Sequence, residues 1–409
     1  MNAPTSSVDL LSPDSVADPH ATFAALRELG PIVWLDRHRA WLLTTHEAVR
    51  LGFHDQRLSS DRLTPLEARL DADTRERMQQ TFELLRGWMV FHDEPEHGRL
   101  REPLRRAFTP RRVADLGPQV QLLVDELLDD LAGRQTPDLV ADVAFPLPAI
   151  VIAELLGVPA EDRDEFKQWS DQLAAIVFGT SDRAAGAARA AAGSARFADY
   201  FTGLIDRYTA EPTDNLISAL IAVTDEDPDV GLAPSELVGA LTLLLFGGHE
   251  TTTNLISNSM HSLLTSPGAT GWMADHPDGR PGALEELHRF DGSTKLMVRV
   301  VGEDHERHGA DLVTGQTVFL GVLGANRDPA AYDEPDRLVL DRANARTHLG
   351  FGYGGHFCLG AALARLETEI AVGSIVDRFP GMTLADDSEV RWGEVLLGRG
   401  PSTLPVRLR

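Results

Sequence analysis

Apolar residues recur at helical spacing through much of the chain and at strand spacing in only a few short runs. Helical patterns dominate residues 46–290. The alanine-rich stretch 184–198 reads as helix, since alanine loses least on entering one. Residues 237–264 read as one long apolar helix whose middle holds poor helix formers: Gly247, Gly248 and Thr251 to Thr253. A strong element interrupted in this way points to a functional site. The alternative is a close helix crossing that needs small residues. Strand patterns cluster in two places, a hairpin over 32–43 and a region that takes in 297–323 and 394–408. After Cys358, apolar residues at 359, 363, 366 and 370 predict a helix with one buried stripe. Residues 225–229 read as an exposed acidic loop, and no internal repeat is present. The pattern predicts a mainly α fold with a smaller β-rich region.

Composition narrows the partners. The 409 residues suffice for two or three ordinary domains, and 43% of them are hydrophobic, enough for a globular core. A net charge of −24 argues against nucleic acid and anionic membrane surfaces. The absence of an 18-residue apolar run and of a charged-then-apolar start predicts a soluble, cytoplasmic protein without a membrane anchor. Against the acidic background, residues 97–112 hold six arginines and one acid, Glu102. One reading is a positive dock for an acidic electron donor. The other is a set of solvated arginines.

Cys358 is the only cysteine. A single thiol builds no internal disulfide, four-thiolate zinc site or iron–sulfur cluster. It stands in Phe351-Gly352-Tyr353-Gly354-Gly355-His356-Phe357-Cys358-Leu359-Gly360, just before the amphipathic helix. The glycines remove every Cβ where backbone must turn sharply or approach something large and flat. The helix entrance favours a thiolate through free N–H groups and the positive dipole end. A buried, inert cysteine is the commoner fate of a free thiol. The surrounding glycines and histidine instead favour axial ligation of haem iron.

These ten residues resemble the haem-ligand loop of the cytochrome P-450 family, Phe-Gly-x-Gly-x-His-x-Cys-x-Gly, with every fixed position filled. The resemblance implies haem b held by Cys358, with His356 near a propionate, Phe351 shielding the sulfur, and Gly352 and Gly360 part of the cradle. It implies a fold with haem between a long central helix and the helix after the Cys loop. It covers nearly the whole chain from about Asp18, so residues 1–409 read as one domain with a flexible N-terminus of about 1–17. Gly247-Gly248-His249-Glu250-Thr251 is similar to the family's oxygen-activation motif, with Gly247 in place of the commoner alanine. By that match Thr251 meets dioxygen and Glu250 relays protons from solvent.

Further positions follow from the same resemblance. His97 and Arg101 lie four apart on one helical face and match the family's propionate pair. Arg299 is a third candidate, unless it is a strand arginine facing water. Glu286 and Arg289 match the pair that braces the fold beneath the haem and are structural. Leu243, Phe246, Gly247, Thr294, Lys295, Leu296 and Leu396 are expected to line the substrate pocket. Lys295 is unusual among apolar neighbours: it pairs with an acidic substrate group or snorkels to water. The implied activity is a monooxygenase acting on an apolar small molecule with O2. With no flavin or nicotinamide fingerprint, electrons come from a ferredoxin and its reductase. A peroxide-driven haem-thiolate enzyme and a non-catalytic haem sensor or carrier remain the alternatives.

Overall fold

A computed structural model of the chain describes residues 3–159, 162, 169, 172, 177, 183–385 and 390–408. Two compact units emerge. The first holds residues 1–58, 114–148 and 250–409; the second holds 59–113 and 149–249. The helix Pro234–Thr265 contributes its first half to the second unit and the rest to the first. It runs unbroken through the glycines and threonines. Among the described residues, no helix is long and apolar enough to cross a membrane.

The first unit carries the sheet. Its strands are β1 (Thr5–Ser6), β2 (Ile32–Leu35), β3 (Ala40–Leu43), β4 (Leu58–Ser59), β5 (Met297–Val301) and β8 (Thr317–Leu320), ordered β1-β2-β3-β8-β5-β4. The expected hairpin is present: Ile32 faces Leu43 and Leu35 faces Ala40. β3 then pairs in parallel with β8, Ala40 against Thr317. A small hairpin of β6 (His305–Arg307) and β7 (Ala310–Leu312) lies between β5 and β8 in the chain. Ile32, Leu43, Val49, Val301, Leu312, Val318 and Leu320 pack into one fully buried cluster. Burying a side chain of this size stabilises by about 1.5–3 kcal/mol. Within residues 1–17, expected to be flexible, β1 pairs with Trp34 and Leu35, and Pro13–Ala17 form a helix capped by Ser12.

Two helices of the same unit, Gly117–Ala132 and Ala361–Arg378, pack side by side, joined by Gln121 Nε2 donating to Ser374 Oγ at 3.0 Å. The buried face of Ala361–Arg378 is not the expected stripe. Leu363 is buried, but Leu366 and Ile370 are only half-buried, while Glu367 and Thr368 are buried. Hydrophobicity alone misplaced the face because it includes a carboxyl and a hydroxyl.

The second unit is helical. Glu96–Ala107 packs on Leu216–Glu226, and Gln79–Arg86 packs on Arg183–Ala210, which takes in the alanine-rich stretch. Residues 225 and 226 end the helix Leu216–Glu226, so the expected acidic loop begins only at Asp227. Gly87 and Gly239 touch so closely that a Cβ on Gly239 would stand 2.5 Å from Gly87 Cα. Nearby, Trp88 Nε1 donates to Thr242 Oγ1 at 2.9 Å.

Candidate active site

The Cys358 loop is fixed by its own backbone. Gly352 (φ +73°) and Gly354 (φ +72°) adopt the left-handed conformation that L side chains rarely take. A tight turn, Gly354–His356, follows, with His356 half-buried. Cys358 N–H donates to Phe351 O at 2.9 Å, and Ala361 N–H donates to Cys358 O at 3.4 Å. Gly360 caps the helix Ala361–Arg378, and a Cβ there would stand 4.0 Å from Cys358 Sγ. The thiol itself is exposed, beside the 40% exposed Phe357. A soft donor on a rigid, glycine-framed loop with an exposed aromatic neighbour fits a flat, apolar group that carries iron.

Phe351 is buried and held between two side chains. Its ring meets His288 at 4.4 Å edge-on, and the Arg365 guanidinium lies 4.4 Å from its centroid. Both partners belong to a network that the sequence reading passed over. Glu285 accepts from Arg365 Nε at 2.6 Å and lies 2.9 Å from His348 Nε2. Burial would raise the Glu285 carboxyl, but the His348 and Arg365 bonds outweigh it and hold the pKa down at about 2. Burial, then the neighbouring His348, pushes His288 well below the ordinary histidine value. The only local signals were a doubled glutamate and a histidine three residues before Phe351.

Glu286 and Arg289 are fully buried, unlike an ordinary helical surface pair. Arg289 donates two bonds to Glu286, at 2.6 and 2.8 Å, and spends another nitrogen on Asn326 O and Pro335 O. Glu286 also accepts from Arg342 Nε and Val339 N–H at 3.0 Å. Every charge is thus answered, which a buried pair requires.

Arg299 is 5% exposed on β5, so the water-facing alternative does not hold. Its Nη1 donates to Val298 O at 3.0 Å. Lys295, Leu296 and Leu396 meet in one crevice, where Leu10, Ser15, Pro19, Thr22 and Phe23 supply the remaining wall. Thr294 instead pairs by its backbone with Gly398. Lys295 is 4% exposed, so it does not snorkel to water.

On the helix Pro234–Thr265, Gly247 and Thr251 stand four residues apart and share a face. Thr251 and Glu250 are half-buried. Among the described residues, a Cβ at Gly247 would meet no atom within 4 Å. At Gly248 it would meet Ile152 Cγ1 at 3.2 Å. The two glycines therefore do different things: Gly247 leaves space and Gly248 permits close packing. Leu243 and Phe246 are buried, with Phe246 5.3 Å from the Trp88 ring.

His97 and Arg101 share the helix Glu96–Ala107. His97 is 2% exposed, with Nδ1 2.9 Å from Glu94 Oε1. Most arginines of 97–112 have acidic partners. Arg99 pairs with Glu96 and Glu236, Arg105 and Arg106 share Glu102, Arg106 also reaches Asp227, and Arg112 reaches Asp214. Those acids arrive mainly from distant sequence, so the cluster is far less positive than its local composition.

Known proteins resemble this chain along its length. A sequence profile described as Cytochrome P450 matches residues 282–391. "Vitamin D(3) 25-hydroxylase" of Pseudonocardia autotrophica is 40% identical over 405 residues, spanning 98% of this chain and 96% of that one. A crystal structure of P450BioI with acyl carrier protein ligated to hexadec-9Z-enoic acid superposes with a TM-score of 0.89 at 32% identity, covering 97% of this chain and 99% of that one. The myxobacterial cytochrome P450 CYP267B1 in complex with myristic acid gives 0.88 at 37% identity, covering 98% of each.

Proposed function

The chain belongs to the cytochrome P450 family and is a monooxygenase that carries haem b through a cysteine thiolate; from that premise we propose that it inserts one atom of O2 into an apolar small molecule, using electrons from a separate ferredoxin and reductase. Cys358, the only thiol, is the ligand. When bound, haem supplies dioxygen binding and redox chemistry. His97 and Arg101, and in the other unit Arg299 and His356, are the N–H donors that would answer its carboxylates, the arginines offering a planar fork. Thr251 would offer its hydroxyl to the oxygen that reacts, and Glu250 would carry protons in from solvent. Leu243 and Phe246 in the second unit, and Thr294, Leu296 and Leu396 in the first, are the side chains this reading assigns to substrate contact.

The observation that carries this reading is the open position at Gly247, one turn before Thr251 on the same face of an otherwise apolar helix. A peroxide-driven enzyme has no use for a hydroxyl and a half-buried carboxyl there. The resemblance to a relative named as a hydroxylase favours turnover over a sensor or carrier role. A separate electron donor is supported by the single cysteine, which builds no cluster, and not by the largely paired arginines.

Thr251→Ala tests the mechanism. The variant should bind substrate and accept electrons at the wild-type rate, yet divert them into hydrogen peroxide. General acid–base groups contribute about 10²–10⁴-fold, with a water softening the loss. Product and peroxide are counted per reductant oxidised, with ferredoxin and reductase present. Unchanged coupling removes Thr251 from the chemistry. Turnover by added peroxide as fast as by the electron-transfer chain overturns the proposed electron route.

A further inference from the structure

The doubled glutamate of the helix Arg280–Phe290 divides its duties. Glu286 and Arg289 are tied to Asn326, Pro335, Val339 and Arg342. Glu285 reaches the Cys358 loop instead, through His348. Gly350 N–H donates to His348 Nδ1 at 3.0 Å, which assigns the imidazole proton to Nε2. That Nε2–H donates to Glu285 Oε2 at 2.9 Å. The carboxylate thereby fixes the tautomer that accepts from Gly350, the usual effect of the group bound to an imidazole's second nitrogen. Arg365 answers the same carboxylate at 2.6 and 3.2 Å. Glu285 and His348 are both buried.

The bond to Gly350 falls one residue before Phe351, whose carbonyl accepts from Cys358 N–H at 2.9 Å. On the other side, Leu349 N–H donates to Asn326 Oδ1 at 2.8 Å, and Leu349 O accepts from Gly352 N–H at 2.9 Å. His288 fills the space between: a Cβ on Gly350 would stand 2.4 Å from His288 Nε2, and the His288 ring meets that of His348 at 4.4 Å. Backbone groups of three successive residues, 349 to 351, are therefore fixed before the left-handed turn at Gly352 begins. A buried charged pair adds little net stability over apolar side chains of the same volume. What a satisfied polar network supplies is a single geometry. Here its last bond lands on the backbone that carries Cys358, whereas among the described residues Glu286 bonds to none of 348–358.

We propose that His348 is a positioning residue for the cysteine ligand: with its tautomer fixed by Glu285, it pins Gly350 and Phe351 and so keeps Cys358 bound as thiolate. The assignment rests on reading Cys358 as the haem ligand. His348 acts through the backbone of 350, 351 and 358, and what it contributes is one acceptor at Nδ1. A side chain that puts an acceptor in the same place therefore replaces it.

Haem-loaded protein is reduced under CO, and the decay of the red-shifted Soret band of thiolate ligation is timed for the wild type, His348→Asn, His348→Gln and His348→Ala. Asparagine offers an oxygen where Nδ1 stands but falls short of Glu285. Glutamine reaches Glu285 but leaves Gly350 N–H without an acceptor. The asparagine variant should keep the band about as long as the wild type. The glutamine and alanine variants should lose it about 10–100-fold faster, the range over which losing a partner behind a metal ligand acts on affinity. Asparagine and glutamine each give up one bond, so their urea midpoints should fall together while their spectra part. Glu285→Leu should speed the decay in the wild type and add nothing in His348→Asn, whose amide has no tautomer to fix. Equal decay for asparagine and glutamine overturns the proposal, as does an alanine variant that holds the band like the wild type or a Glu285→Leu effect of the same size in both backgrounds. If alanine fails to fold, the asparagine–glutamine comparison decides; if no His348 variant folds, the pair belongs to the core and the proposal falls. A wild type that never shows the band refutes Cys358 ligation itself, so the two failures read differently.

Discussion

Glu367 is 1% exposed in the helix Ala361–Arg378, and its Oε2 has no hydrogen-bond partner among the described residues. Burial alone raises its pKa well above 4.5. The folded chain therefore keeps a proton that the unfolded chain has already released. Between the unfolded value and the raised folded one, stability falls as pH rises, at about 1.4 kcal/mol per pH unit. Glu367→Gln has no proton to lose, so its urea midpoint should drop less than the wild type's between pH 5 and pH 8. Parallel pH curves for the two proteins would place a counter-charge on Glu367. Other residues were easier to read. The Cys358 loop was legible because its parts are consecutive. Lys295 was legible only as an oddity: its burial is a fact of the fold.

At the scale of elements, small residues in one helix carry opposite consequences. Gly239→Ala drives a Cβ into the Gly87 backbone, where no flexible side chain can yield. That substitution should destabilise by about 1–3 kcal/mol, the usual cost of overpacking. Gly247→Ala meets open space and should stabilise by roughly 0.5–1 kcal/mol through helix propensity. Thermal midpoints of the two variants decide it, and equal shifts would refute the distinction. The sequence showed glycine and threonine in the wrong place for a helix but not which glycine opens space. The misread part of the stripe, 366 and 370, has a similar cause. Period was read correctly, but the choice of buried face depended on the neighbour, the helix Gly117–Ala132.

Across the whole molecule, long-range charge pairing escaped the sequence most. The acids that answer the arginines of 97–112 include Asp214, Asp227 and Glu236, so local counting overstated the positive field. The Glu286–Arg289 spacing was visible, yet its reach to Asn326, Pro335 and Arg342 was not. Arg289→Ala leaves Glu286 with one cation and two carbonyls without donors. It should cost about 3–5 kcal/mol, read as a lower urea midpoint; a loss below 1 kcal/mol would show the network to be dispensable. The parallel pairing of β3 with β8 sets Ala40 against Thr317. On a ribosome adding about 5–20 residues per second, the first strand would emerge many seconds before its partner. Through that interval the nascent hairpin would present an open, apolar edge, which makes the early chain a natural client for chaperones and this single pairing a late event in folding.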